Sequence, residues 1–177
     1  MLAKANAEVA VTLPSDTEIR FTRFFSRRRQ LLFEAWTQPE HVRHWWGCDG
    51  SSLSVCEIDL RVGGTWKIVM RMPDGSEHPF RGVYREIARG ERLVYTECYD
   101  VPQIGSPEWL TTLTFEEVEG GTRLTHTIRH RSREARDGHL QAGMEAGTIQ
   151  TLRRLEEHTA RMLEAGVQDA TFKGRTK

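Results

Sequence analysis

The sequence predicts an α+β fold in which a curved antiparallel sheet of about seven strands wraps around one long C-terminal helix. Two observations support this prediction. From residue 138 to about residue 165, apolar residues recur at steps of three and four, which is typical of an amphipathic helix. Between residues 52 and 131, apolar and polar residues alternate, with glycine-rich turns between the segments, which indicates antiparallel strands. With two short helices after the first strand, this is a helix-grip layout.

The first strand is predicted over Glu18–Phe25, where large apolar residues alternate with polar ones. Ser26 is expected to cap a first short helix, whose narrow apolar stripe includes Trp36. A proline at residue 39 is expected to begin the second short helix, over residues 39–46. Two short helices are therefore expected between the first strand and the remaining strands of the sheet.

Six further strands follow, separated by turn signals such as Gly63-Gly64 and Gly120-Gly121. They are predicted over residues 52–60, 65–72, 78–88, 92–99, 109–118 and 122–131. Ser132 is expected to cap a helical region that Gly138 or Gly143 interrupts before the long helix. We expect a single domain over residues 16–166, between a flexible leader (1–15) and a flexible tail (167–177).

The composition is that of a soluble globular protein and excludes several classes of partner. Twenty-five basic and 25 acidic side chains give a formal net charge of zero, so we expect neither nucleic acid nor a membrane as partner. The three cysteines lack the CxxC spacing, which argues against a disulfide framework and favours a reducing compartment. Because no long apolar run occurs, we expect a cytoplasmic protein without signal peptide or membrane span. A homodimer stays an open alternative.

The long helix carries small residues on the first half of its apolar stripe. These residues are Gly143, Gly147, Thr148 and Thr151. Since a packed core helix would carry leucine or isoleucine there, the stripe predicts a cavity between helix and sheet. The residues predicted to bind a ligand are Met144, Thr148 and Thr151 on the helix, with Trp45, Trp46, Trp66, Met70, Phe80, Tyr84 and Trp109 elsewhere. In the second half, Leu152, Leu155 and Leu163 are expected to be buried, with Arg153 and Arg154 on the opposite face.

His126 is a further candidate ligand-binding residue. It shares one face of the last strand with Leu124, Ile128 and His130, which predicts that it points inward. A buried imidazole is expected to have a lowered pKa and to orient a polar group of a ligand. The alternative is a structural role, in which His126 pairs with a neighbouring tyrosine or glutamate.

No metal, cofactor or catalytic residue is predicted. His41 and His44 lie one helical turn apart near Cys48, a spacing compatible with a metal, but no fourth ligand lies nearby. The sequence contains no phosphate-binding glycine loop, no GxSxG elbow and no paired carboxylate motif. We therefore expect no cofactor, and an enzymatic function has no motif to support it.

Five motifs together resemble the family named after the C-terminal domain of the activator of the heat-shock protein 90 ATPase. The motifs are FEAWTQPEHVRHWW (33–46), CEIDLRVGGTW (56–66), FRGVYREI (80–87), ERLVYTE (91–97) and GMEAG (143–147). The family belongs to the START and birch-pollen-allergen superfamily, and the resemblance implies a helix-grip fold with a hydrophobic pocket. Two departures are Ser26, near which the family usually has a proline, and Thr148, where an aromatic residue is frequent. The second departure predicts a wider pocket.

Three functions follow from this reading. The first is a protein that binds a small hydrophobic or amphipathic molecule in an internal pocket, which the small helix residues and aromatic strands favour. The second, implied only by the family resemblance, is a module that interacts with a chaperone ATPase. The third is a pocket enzyme of cyclase or hydrolase type, with His126 as acid or base.

Overall fold

The computed structural model describes the backbone of residues 8–173 and the side chains of residues 8–166. Eight strands form one antiparallel sheet in the order β1-β2-β8-β7-β6-β5-β4-β3. They are β1 (Ala10–Thr12), β2 (Glu18–Phe25), β3 (Ser52–Ile58), β4 (Thr65–Arg71), β5 (Glu77–Ala88), β6 (Arg92–Tyr99), β7 (Glu108–Val118) and β8 (Gly121–Arg129). The seven predicted strands are β2 to β8, and their predicted bounds agree with the structure within about two residues.

Four α-helices accompany the sheet in the described part of the chain. They are α1 (Arg29–Thr37), α2 (Pro39–Trp45), α3 (Arg133–Gln141) and α4 (Met144–Lys173), and a short 3-10 helix spans Pro102–Ile104. The long helix α4 packs against α1, α2 and α3. The predicted α+β helix-grip architecture is therefore confirmed. Within the described residues, no helix is both long enough and apolar enough to cross a bilayer.

The additional strand β1 lies inside the segment expected to be a flexible leader. It pairs with the outer edge of β2, with Val11 opposite Phe21. Three residues are too few to show a period-two pattern, so the sequence offered no strand signal there. Residues 1–7 of the predicted leader lie outside the described residues.

The long helix begins later than predicted. Gly143 has φ +82°, a left-handed conformation that ends helical geometry, so residues 138–141 belong to α3 and α4 starts at Met144. The apolar spacing runs through residues 138–143, so it did not decide between Gly138 and Gly143 as the break, and the structure places it at Gly143. The backbone of α4 continues to Lys173, past the predicted end near residue 165. Residues 174–177 of the predicted tail lie outside the described residues.

One of the two predicted helix caps is correct. The Ser132 hydroxyl oxygen accepts a hydrogen bond of 3.1 Å from the Ala135 amide at the start of α3. The prediction for Ser26 is wrong, because α1 begins at Arg29 and its N-cap residue, Arg28, makes no side-chain capping bond. The chain uses residues 26–28 to turn from the end of β2 into the helix, which leaves Ser26 too far from the first turn.

The core lies between the inner face of the sheet and the helices. Its largest fully buried side chains are Trp45, Phe21, Phe25, Phe115, Ile19, Leu32, Leu93, Leu113, Leu124, Leu152, Leu155 and Val42. Burial is thus confirmed for Leu152 and Leu155, but Leu163 is 40% exposed, so its predicted burial is wrong. Its neighbour Met162 packs against the core, and one residue along a helix turns the side chain by about 100°.

The loop between α2 and β3 is held by α4. The Arg154 guanidinium donates hydrogen bonds to the carbonyl oxygens of Gly47, at 2.9 Å, and Cys48, at 2.6 Å. The Thr151 hydroxyl also donates to the Gly47 oxygen, at 3.0 Å. Arg154 is therefore half-buried, and its predicted place on a solvated helix face is wrong, because the loop folds over that face.

Candidate functional site

A cleft lies between strands β3 to β6 and the helices α1 and α2. We call it the aromatic cleft, and its lining residues are Trp36, Val42, Trp46, Ile58, Trp66, Ile68, Tyr84, Tyr95 and Glu97. The space without protein atoms in and around it, including open solvent at its mouth, is about 340 Å³. Because the cleft is narrow, the centre of a water molecule can reach only about 20 Å³, which is room for roughly one water. A larger ligand therefore requires side chains to move.

Period-two geometry brings the strand residues of the cleft to one face. Tyr95 and Glu97 are two residues apart on β6 and therefore point to the same face, and Tyr84 on β5 is the partner of Tyr95 on the neighbouring strand. The Tyr84 and Tyr95 rings meet edge to face at 5.8 Å, and Trp66 meets Tyr95 in the same way at 5.7 Å. Edge-to-face packing fixes the three rings relative to one another.

A glycine allows Trp66 to lie across the sheet. Gly82 is the residue of β5 directly opposite Trp66, and a Cβ atom there would collide with both the Thr96 carbonyl oxygen and the Trp66 indole nitrogen. With that space free, Trp66 Nε1 donates a hydrogen bond of 3.2 Å to the Thr96 oxygen. The indole is thereby pinned along the floor of the cleft.

The helices supply the other wall. Trp36 of α1 packs on Trp45 at 4.7 Å, and the Trp45 indole donates a 2.8 Å hydrogen bond to the Ala35 carbonyl oxygen. Trp45 is fully buried and supports this wall without lining the cleft. Trp46, the residue at the C-terminal end of α2, is half-buried and packs edge to face on Phe80 at 5.0 Å. Trp46 is therefore the aromatic lining residue with the most freedom to move.

Glu97 is the one acidic group among the described lining residues. Its carboxylate accepts a hydrogen bond of 3.1 Å from the Thr111 hydroxyl. Burial raises the pKa of Glu97 to about 7, although the bond from Thr111 and the neighbouring Trp109 indole N–H act in the opposite direction. The Trp109 N–H reaches no partner in strict hydrogen-bond geometry within the described residues. The carboxyl group therefore changes its charge near neutral pH.

The predicted ligand-binding residues divide into two groups. Trp46, Trp66 and Tyr84 line the aromatic cleft, whereas the remaining ones do not: Trp45, Met70, Phe80, Trp109, His126, Met144, Thr148 and Thr151. On α4, Met144 packs against the core and Thr151 holds the Gly47 loop, while Thr148 is half-buried. The space beside Gly147 is open, since a Cβ atom there would meet nothing within 4 Å among the described residues.

His126 is buried in the core behind the cleft. Its ring packs against Phe21 and edge to face against Trp36, each at 5.9 Å, so Trp36 touches both His126 and the cleft. The inward orientation predicted for His126 is confirmed, and burial lowers its pKa to about 4. Neither ring nitrogen has a hydrogen-bond partner among residues 8–166, so the alternative of a tyrosine or glutamate partner does not hold.

Five of the other histidines contact one another in two groups, while His78 lies 2.6 Å from the Tyr99 hydroxyl. His41 Nδ1 lies 3.1 Å from His158 Nε2, and the His44 ring stacks on His158. His130 Nε2 lies 2.9 Å from His139 Nδ1 beside Trp109. In the described part of the chain, no group of three or more His, Cys, Asp or Glu side chains is arranged to hold a metal ion.

Sequence reasoning did not assign several residues that shape the cleft. Those that line it are Trp36, Val42, Ile58, Ile68, Tyr95 and Glu97, and Gly82 shapes its floor. Two signals were present: a glycine inside a strand, which marks a close approach, and a glutamate that shares the inward face of its strand with Tyr95. An acidic residue on a core face is unusual and points to a site.

A second depression, of about 270 Å³, lies on the opposite face of the sheet. Its lining residues are Glu18, Glu86, Arg92, Val94, Leu110, Thr112, Thr127 and Arg129. This lining is largely charged or hydroxyl-bearing, and none of the described lining residues is aromatic. Such a surface offers little apolar area to a ligand, so the aromatic cleft is the better candidate site despite its narrowness.

Comparisons with known proteins agree with this architecture. The family model for Activator of Hsp90 ATPase homolog 1-like protein matches residues 26–160. A comparison with curated proteins found no match.

Several solved bacterial structures share the fold. A protein from Rhodobacter sphaeroides is 27% identical with a TM-score of 0.79, over 87% of this chain and 99% of its own. A protein from Nitrosomonas europaea is 25% identical with a TM-score of 0.77, over 86% and 99% of the two chains. One from Chromobacterium violaceum is 26% identical with a TM-score of 0.69, over 81% and 96%. Because the family model spans most of its length, the chain belongs to the family of Activator of Hsp90 ATPase homolog 1-like proteins.

Proposed function

We propose that the protein binds a small hydrophobic or amphipathic molecule in the aromatic cleft. The observation that carries this proposal is the lining, in which five of nine residues are aromatic and three more are aliphatic. Concave, mostly apolar surfaces with few polar groups are the usual form of small-molecule sites. Glu97 supplies one polar group at a fixed position, which suits a ligand with one polar end.

Binding requires the cleft to widen. The part that a water molecule can reach, about 20 Å³, is far smaller than the roughly 300–1,000 Å³ of small-molecule pockets. Trp46 follows the last residue of α2 and precedes Gly47, which has φ +102°. A rotation of the Trp46 side chain away from Phe80 would enlarge the space that a ligand can reach. Trp46 therefore acts as the movable wall of the site in this proposal.

The test is a binding assay with N-phenyl-1-naphthylamine, a neutral apolar probe that fluoresces when it leaves water. Ile58→Trp fills the cleft from β3, whereas Val55→Trp places the same side chain on the other face of the same strand. We expect Ile58→Trp to weaken probe binding about tenfold or more, equivalent to roughly 1.4 kcal/mol. Val55→Trp should bind as the unchanged protein does.

Two results would contradict the proposal. One is a protein that binds no N-phenyl-1-naphthylamine at any concentration the probe allows. The other is equal binding by the unchanged protein and Ile58→Trp, provided that both unfold cooperatively in denaturant. The second result would place the apolar site elsewhere, for instance beside Gly147, where space is also open.

A further inference from the structure

We infer that the polar end of the ligand is an organic ammonium group, bound in the aromatic cleft with Glu97 as its counter-ion. This inference rests on the proposed function and adds the charge of the ligand. A quaternary or protonated amine with an apolar body is the chemical class that the cleft fits.

The first step is that Glu97 lacks a cationic partner. Most other acidic groups in the fold that face a neighbouring element are paired with arginine, as Glu156 is with Arg27 at 3.3 Å. Glu97 makes no such ion pair within residues 8–166, and the groups that act on its pKa are Thr111 and Trp109, which are both neutral. Buried carboxylates in proteins are normally paired with a cation, because an isolated charge in an apolar place is costly. The cleft therefore has an acidic group but no cationic group among its described lining residues.

The second step is the character of the surrounding rings. Trp66, Tyr84 and Tyr95 stand on the strands around Glu97, and Trp36 and Trp46 face them from the helices. The electron-rich faces of such rings attract cations, tryptophan most strongly, and aromatic cages are a recurrent way to bind quaternary ammonium groups. The same rings offer no favourable site to an anion.

The third step excludes the opposite charge. No Arg, Lys or His side chain is among the described residues that line the cleft. An anionic ligand would be buried beside Glu97 without a counter-charge, which the energetics of desolvation disfavour. A neutral ligand would leave Glu97 either protonated or uncompensated. Only a cation satisfies the carboxylate and the rings together.

Proton release is a consequence of this arrangement. The pKa of Glu97 is raised to about 7 by burial, so the empty site is part protonated at neutral pH. A bound ammonium favours the ionised carboxylate and lowers that pKa, so binding near pH 7 releases a fraction of a proton per site. The other titratable groups near Glu97 are Tyr84 and Tyr95, whose pKa values burial raises far above neutrality, so neither contributes to the release.

The test compares choline with 3,3-dimethylbutan-1-ol, which has the same shape but carries no charge. Isothermal titration calorimetry of the full chain at pH 7.5 should show choline binding at least about tenfold more tightly than the alcohol. In Glu97→Gln this advantage should disappear, while the affinity for the alcohol stays the same. Glu57→Gln, which removes an exposed carboxylate on the outer side of β3, should keep the advantage. Titrations in two buffers of different ionisation enthalpy should also show a fraction of a proton released with choline, larger at pH 7 than at pH 7.5, and none with the alcohol.

The outcomes separate this inference from the proposed function. If choline binds no better than the alcohol, or keeps its advantage in Glu97→Gln, the ammonium assignment is wrong. If N-phenyl-1-naphthylamine binds in the cleft and choline does not displace it, the assignment is wrong and the apolar site stands. Probe binding by Glu97→Gln verifies that this variant is folded, so a loss of choline binding alone reports on the charge. If neither choline nor the probe binds, both proposals are wrong.

Discussion

The indole nitrogen of Trp66 donates a hydrogen bond of 3.2 Å to the carbonyl oxygen of Thr96, two strands away in the sheet. The bond is possible because Gly82, on the strand between them, has no side chain. An aromatic ring laid across a glycine gives the cleft a rigid floor, whereas Trp46 on the helix side stays half-buried. The site therefore combines a fixed wall with a movable one.

Gly82→Ala should destabilise the fold by about 2 kcal/mol or more, because the new methyl group meets backbone that cannot move aside. Gly138→Ala is the matched control, since a Cβ atom there meets nothing within 4 Å of the described residues. Gly138 lies inside α3, so alanine should stabilise the protein by up to about 1 kcal/mol. Urea denaturation of the two variants measures both changes. Similar effects at the two positions would show that the space around Gly82 is not what the structure implies.

Leu155→Ala should lower the free energy of unfolding by about 2–5 kcal/mol, because Leu155 is fully buried between α4 and the core. Leu163→Ala, on the same helix, should cost less than about 1 kcal/mol, since that side chain is 40% exposed. Denaturant melts give both values. Equal costs would mean that the face of α4 that packs on the core is assigned incorrectly.

The pH dependence of stability should include a contribution from His126. Burial lowers its pKa from 6.5 to about 4, so the unfolded chain binds more protons than the folded one between these values. This contribution to stability is present above about pH 6.5 and is lost as the pH falls towards 4. His126→Leu should therefore lose less stability than the unchanged protein between pH 7 and pH 5. An identical pH profile for the two proteins would show that His126 is not buried as a neutral ring.

Glu97 should change the pH dependence of stability in the opposite direction to His126. Its pKa is raised from 4.5 to about 7, so the folded protein binds more protons than the unfolded chain between these values. This contribution is present below about pH 4.5 and is lost as the pH rises through 7. Glu97→Gln should therefore remove a decrease in stability over that range, as thermal melts from pH 4.5 to pH 8 would show. A steeper decrease in the variant would contradict the raised pKa.

Local sequence patterns predicted the sheet well, because alternation and glycine turns are set by neighbouring residues. The strand from Glu18–Phe25 and the cap at Ser132 agree with the structure for this reason. The strand Ala10–Thr12 was missed because its three residues carry too short a pattern, and it forms only by pairing with β2. The choice between Gly138 and Gly143 as the helix break stayed open, because the break at Gly143 leaves the apolar spacing unchanged.

The site was less predictable, because its residues meet only in the folded chain. The small residues of α4 predicted a cavity beside that helix, yet the aromatic cleft lies against α1 and α2. Thr151 illustrates the ambiguity, since a small polar residue on an inward face can leave space or, as here, bond to a loop. Whether Thr148 and Met144 also contact a ligand stays a prediction. The two-residue alternation of its strand predicts that Glu97 points inward, but this alternation does not indicate that it belongs to a site.

The most direct measurement of the central claim is the response of the tryptophan indole N–H signals, by two-dimensional NMR, to a titration with choline. The chain has five tryptophans. The signals of Trp36, Trp46 and Trp66 should shift most, because all three line the cleft, and that of Trp45 should shift less, because it is fully buried and does not line the cleft. The same titration of Glu97→Gln should leave all of them nearly unchanged. Shifts confined to Trp45 or Trp109, or none at saturating choline, would contradict an ammonium site in the aromatic cleft.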